Sequence, residues 1–194
     1  MKRVALSVAL LALSACASVP PTWIVNESKD EFTDSVSRMA TTWSRASLGT
    51  PYTETGKLYP FVGTRGGDLL VGVRSGGQYR IPAGTVQIRV DDHEAWTITP
   101  DETPADLIPG AAPAAPGLEA QTAAAMQATA KIMSPYTAAT GDKARQILRQ
   151  IASGKLLKYR QIGLNQAASS TGEVAIDASF FDAMKSLGID PQNI

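Results

Sequence analysis

The sequence predicts an α+β protein: an antiparallel β-sandwich or meander with an appended helical segment, placed after a cleaved signal peptide. Three observations carry the prediction. Residues 23–99 show strand-length apolar runs with a two-residue period, residues 100–117 are rich in Pro and Ala with no apolar period, and residues 118–194 turn to helical spacing. The organisation expected is therefore a signal peptide (1–15), a short tether (16–22), a β-rich domain (23–99), a linker or long exposed loop (100–117), and a helical and mixed C-terminal part (118–194) packed on the sheet.

At the amino terminus, Lys2 and Arg3 precede an apolar stretch from Val4 to Ala12 that only Ser7 interrupts. That stretch is too short to span a bilayer and has the order of a secretory signal. It ends in Leu13-Ser14-Ala15-Cys16, and Cys16 is the single cysteine of the chain. The segment resembles the lipobox of bacterial lipoproteins: a leucine, two small residues, then the cysteine. The resemblance implies that the Cys16 thiol carries diacylglycerol, that the chain is cut before it, and that the new amino group is acylated. It also implies an address, since Ala17-Ser18 lacks the aspartate associated with inner-membrane retention: the periplasmic side of the outer membrane. Several acyl chains hold a protein stably where one does so only marginally. Residues 16–22 reach only about 20–25 Å when extended, so the folded part must stay close to its membrane.

The strands follow in order. Trp23-Ile24-Val25 and Val36 to Trp43 read as the first two. Leu69-Leu70-Val71-Gly72-Val73 is a continuous apolar strand, and Ser75-Gly76-Gly77 separates it from Gln78-Tyr79-Arg80-Ile81 in the manner of a hairpin. Pro82-Ala83-Gly84 turns the chain into a strand in which Val86, Ile88 and Val90 alternate with Gln87 and Arg89. Asp91-Asp92-His93-Glu94 then joins it to Ala95–Thr99.

Leu118 to Met133 is Ala-rich and stopped by Pro135, which predicts a helix by propensity with a weak burying face. Asp142 to Ser153 predicts a stronger one, because Ala144, Ile147, Leu148 and Ile151 share a face and Gly154 follows. Leu156–Ile162 and Glu173–Ile176 read as strands. A last helix runs from Ser179 to Leu187, with Asp177 or Ser179 as its cap, Phe180, Phe181, Met184 and Leu187 as its packing set, and Gly188 at its end.

Trp23, Asp34 ahead of a Thr-rich strand, the Arg89-Val90-Asp91 strand end and the short helix at Phe180–Leu187 give a second likeness. By them the chain resembles periplasmic β-sandwich proteins of invasion-associated and secretion-associated families. Those families commonly hold cysteines in the sandwich, and this chain has none there. The resemblance implies a fold and assigns no functional residue.

Composition narrows the function. The 18 basic and 18 acidic residues become 16 and 18 once Lys2 and Arg3 are removed, a balance that calls for no nucleic acid. With Cys16 lipidated, no thiol is left for a disulfide or a metal cluster. His93 is the sole histidine, and an extended segment would put Asp91 and His93 on one side and Asp92 and Glu94 on the other, so the group reads as a solvated turn and no metal or cofactor is expected. No Gly-x-Ser-x-Gly elbow exists for a serine hydrolase, and Gly63-Thr64-Arg65-Gly66-Gly67 lacks the P-loop lysine and reads as a turn. Trp23, Trp43 and Trp96 read as core.

Charge order is more telling. Asp91, Asp92, Glu94, Asp101, Glu102 and Asp106 form a stretch without bases, and Lys143, Arg145, Arg149, Lys155, Lys158 and Arg160 form a stretch without acids. The blocks dock on each other, or the bases face an anionic lipid surface, lipopolysaccharide or cell-wall polymer, or they are a solvated face. The function expected is a lipid-anchored cell-envelope protein that binds or helps assemble a partner. It would be held to the membrane by lipid on Cys16, with the Lys143–Arg160 bases as its contact to an envelope protein or anionic polymer. The alternative is a cell-wall-active hydrolase using a pair of carboxylates, and a cation sensor at His93 is the third reading.

Overall fold

The structure, a computed structural model, describes residues 21–29, 31, 36–45, 50–108, 120–163 and 168–194. The signal peptide, Cys16, Asp34 and most of the tether lie outside the described residues. In chain order the elements are β1 (Trp23–Lys29), β2 (Val36–Thr42), β3 (Ser44–Arg45), β4 (Pro51–Tyr52), β5 (Leu58–Arg65), β6 (Asp68–Ser75), β7 (Val86–Val90), β8 (Trp96–Ile98), α1 (Ala120–Ile132), β9 (Tyr136–Ala139), α2 (Gly141–Ser153), β10 (Leu156–Ile162), β11 (Ala168–Ala175) and α3 (Ala178–Ser186). One sheet has the strand order β1-β2-β5-β6-β9 and a second the order β11-β10-β7-β8, while β3 and β4 make a small separate ribbon. Pairing is antiparallel throughout these sheets.

The α+β sandwich is thus the observed architecture. Its core lies between the sheets, where Ala40, Val62, Val71 and Val73 of the first meet Val86, Ile88, Val90, Ile98 and Leu157 of the second. The period-two pattern of β7 does what alternation demands: Val86, Ile88 and Val90 are buried, and Gln87 and Arg89 turn outward. The same holds in β10, with Leu157 and Tyr159 inward and Lys158 and Arg160 outward.

Both amphipathic helices close the sandwich. α2 packs on β6 and buries Ala144, Ile147, Leu148 and Ile151, the face read from the sequence. α3 packs on β1, with Asp177 as its cap: its carboxylate accepts from the Ser179 N–H at 2.9 Å and from the Thr22 hydroxyl at 2.7 Å. Phe180 sits edge-on to Trp23 at 5.1 Å, whereas Phe181, expected to pack, stands about a quarter-turn further round the helix and is 39% exposed, its ring 5.3 Å from that of Phe180. α1 buries none of its residues.

Three details differ from expectation. Gln78–Ile81 is not a strand; β6 pairs instead with β5, upstream of it, across a turn in which Gly66 and Gly67 have φ of 59° and 92°. Residues 100–108 are not a free linker, since Thr103, Leu107 and Ile108 are buried and the Thr103 hydroxyl accepts the Ala138 N–H at 3.1 Å. The C-terminal part does more than lie on a finished sheet: it supplies β9 to the first sheet and β10 and β11 to the second.

Candidate functional site: a basic groove on the open sheet face

The outer face of the four-stranded sheet is where the chain gathers exposed cations. β7 contributes Gln87 and Arg89, β10 contributes Lys158 and Arg160, and β11 contributes Thr171 and Glu173. These side chains line an open groove of about 590 Å³. Register fixes who meets whom: Lys158 lies opposite Arg89 on one side and Glu173 on the other, and Arg160 lies between Gln87 and Thr171. Directly opposed residues have Cβ atoms about 4.5–5.5 Å apart, at which distance the like charges Lys158 and Arg89 repel. The Arg160 guanidinium is held by two bonds to the Gln87 amide oxygen, 2.8 Å from Nε and 2.6 Å from Nη2. Of the carboxylates nearby, Glu173 faces Lys158 and Asp92 stands 3.7 Å from Arg89 at the far rim. Polar groups on an exposed face of an antiparallel sheet are ordinary; a like-charge pair set directly opposite is a cost that an anionic ligand would relieve.

The structure divides the basic block. Lys158 and Arg160 enter the groove. Lys143 is turned away and tied to the acidic block, 2.6 Å from the Glu102 carboxylate and 2.6 Å from the Thr97 carbonyl. Arg145 binds Asp142 on its own helix at 2.5 Å, and Arg149 donates to the Ile194 carbonyl at 2.8 Å. Lys155 is exposed at the start of β10, where the backbone N–H groups of Lys155 and Leu156 bond to the Asp91 carboxylate. The two blocks therefore do meet, through Glu102–Lys143 and through Asp91, and only part of the basic block is left to face outward. Arg89 was absent from the block because it lies far away in sequence; its outward position is legible in the alternation of β7, its pairing with β10 is not.

The remaining candidates find their places. His93 is exposed in the β7–β8 turn, where Asp91 takes a positive φ of 46° and turns its carboxylate to the Lys155–Leu156 backbone, away from a common centre. Among the described residues no three His, Cys, Asp or Glu side chains come together as metal ligands. Trp23 is core and donates its indole N–H to the Ala175 carbonyl at 3.0 Å. Trp43 and Trp96 are half-buried, donating to the Pro21 carbonyl at 2.9 Å and the Gln150 side chain at 2.6 Å. Among the described residues the carboxylates whose titration is displaced are all lowered. In Glu102 burial pulls upward but is outweighed by Lys143 and Thr99, and in Asp177 burial is outweighed by Ser179 and Thr22. Glu54, Asp142 and Asp190 are held down by Lys57, Arg145 and Asn193 in turn. A carboxyl serving as general acid needs the opposite displacement.

Fold and groove together define a two-sheet α+β sandwich with an open basic sheet face. Among solved structures, the chain is similar to the crystal structure of invasion associated protein B from Bartonella henselae, at 11% identity over 88% of this chain and 92% of that one, with a TM-score of 0.45. No family model and no curated protein matches the sequence. Among the described residues no helix is long and apolar enough to cross a membrane.

Proposed function

We propose that this protein is a lipid-anchored component of a bacterial cell envelope, tethered through Cys16 on the periplasmic side of the outer membrane, and that it works by binding an anionic envelope partner. The anchor rests on the lipobox Leu13-Ser14-Ala15-Cys16. The observation that carries the binding reading is the gathering of Arg89, Lys158 and Arg160 on one open face, where the first two oppose each other and only Glu173, beside Lys158, and Asp92, 3.7 Å from Arg89, stand against the three bases. An anionic polymer or acidic protein surface laid in the groove would neutralise that pair, and its affinity would fall with salt over a Debye length of about 8 Å at physiological ionic strength.

The test uses the mature lipidated protein and an Arg89→Gln/Lys158→Gln/Arg160→Gln variant. Both are titrated with purified lipopolysaccharide and with anionic cell-wall polymer by calorimetry at low and physiological salt. Saturable binding by the parent, lost in the variant while its unfolding midpoint is kept, is the expected result. Equal binding by both proteins sinks the assignment of the groove. Intact mass of Cys16 tests the anchor separately.

A further inference from the structure

One end of the sandwich collects exposed apolar side chains around the point where the chain enters the fold. The Pro21 carbonyl is pinned there by the Trp43 indole at 2.9 Å. The loop after β2 is stitched to the loop after β6: Gly77 N–H donates to the Thr53 hydroxyl at 3.0 Å and Gly76 N–H to the Lys57 carbonyl at 2.9 Å. That second loop reaches the end of α1 through Ala83 N–H and the Ser134 carbonyl at 2.9 Å. On these three connected segments stand Tyr52, Tyr79, Ile81, Ile132 and Met133, of which Tyr79 is 78% and Met133 62% exposed. Cations are interleaved: Arg80 sits over the Tyr136 ring at 5.7 Å and Lys57 pairs with Glu54 at 2.7 Å. The far end of the first sheet carries the Gly66-Gly67 turn, with Val36 exposed beside it.

Tyrosines, aliphatic tips and bases together are the composition that settles at a membrane–water interface. The length of chain before Pro21 says which surface is in reach, for the five residues from Cys16 extend no more than about 18 Å. We infer that this end, Tyr52, Tyr79, Ile81, Ile132 and Met133, lies on the headgroup region of the bilayer that holds the acyl anchor. The inference rests on the lipidation of Cys16. It makes the loops a second membrane contact that orients the domain, with the strands of the first sheet running away from the bilayer.

The test places an environment-sensitive fluorophore on single introduced cysteines, Tyr79→Cys and Met133→Cys at the proposed contact and His93→Cys in the exposed β7–β8 turn outside it. Acylated Cys16 leaves each as the one free thiol of its protein. In vesicles of phosphatidylethanolamine with phosphatidylglycerol, labels at 79 and 133 should shift to the blue and be quenched by shallow spin-labelled lipid several-fold more than the label at 93. Equal quenching at the three positions, in protein shown by flotation to be vesicle-bound, overturns the inference while leaving the anchor intact. If intact mass shows a free Cys16 thiol, the anchor reading fails instead. The same labels are then read in the Cys16→Ser protein, where a shift confined to 79 and 133 upholds the surface and its absence overturns it.

Discussion

At the scale of single residues, Tyr159 shows how the sandwich uses a phenol. It points inward from β10, 9% exposed, with its ring over Gly172, where an added Cβ would come within 2.5 Å of the hydroxyl oxygen. Burial, with a smaller contribution from Tyr59, pushes its pKa up to about 12 from an ordinary value of 10.0. The sign follows from linkage: between those values the unfolded chain has released the proton and the native chain keeps it, so the unfolded state is favoured as pH rises. Urea unfolding at pH 9 and at pH 11.5 should therefore show stability falling steeply in the parent, and less so in Tyr159→Phe. Gly72 makes a second case. Its Cβ would collide with the Thr137 carbonyl and lie 2.7 Å from the Ala138 Cα, so Gly72→Ala is expected to cost about 1–3 kcal/mol by overpacking, read as a lower denaturation midpoint. The apolar run containing Gly72 was legible as a strand. Why a glycine interrupts it was not, because the reason is β9, a neighbour over sixty residues away.

At the scale of elements, legibility tracks the strength of a period. α2 was readable to the residue because its four apolar positions form one stripe, and those four side chains are what it buries. Removing part of that stripe by Ile147→Ala should cost about 2–5 kcal/mol. α1 was readable by propensity alone and buries nothing, so Ala124→Gly should leave the global unfolding midpoint nearly unchanged while speeding amide exchange within the helix. The paired measurement separates a helix held by the core from one held by its own backbone. β5 escaped the sequence reading for two reasons: six of its eight residues are buried on both faces, which erases alternation, and Pro60 sits within it. The sheet tolerates the proline because the β2 ladder ends at Thr41–Phe61, and the Pro60 carbonyl takes the Thr41 hydroxyl at 2.9 Å in place of a ladder bond. β9 has four residues between two helices, too few for any period to speak.

At the scale of the whole molecule, the candidate groove exists only because distant segments pair. Arg89 and Lys158 are adjacent through a β7–β10 ladder that joins the two halves of the chain, and β9 reaches back across the first sheet to β6. A fragment ending at residue 108 would keep β1 to β8 yet lose an edge of the first sheet and half of the second, exposing Val71, Val73, Ile88 and Val90 together with the surface that α2 and α3 cover. The stability of a small domain is a narrow difference between large terms, about 5–15 kcal/mol, and burying one such side chain contributes roughly 1.5–3 kcal/mol. Uncovering several of them exceeds that margin. Residues 21–108 alone should give collapsed amide dispersion and bind a hydrophobic dye, whereas the chain from residue 21 to 194 should unfold in a single cooperative transition. A natively dispersed spectrum from the shorter fragment would mean that the first half folds as an independent domain, and the groove would then have to be built by docking, in conflict with the continuous β7–β10 ladder.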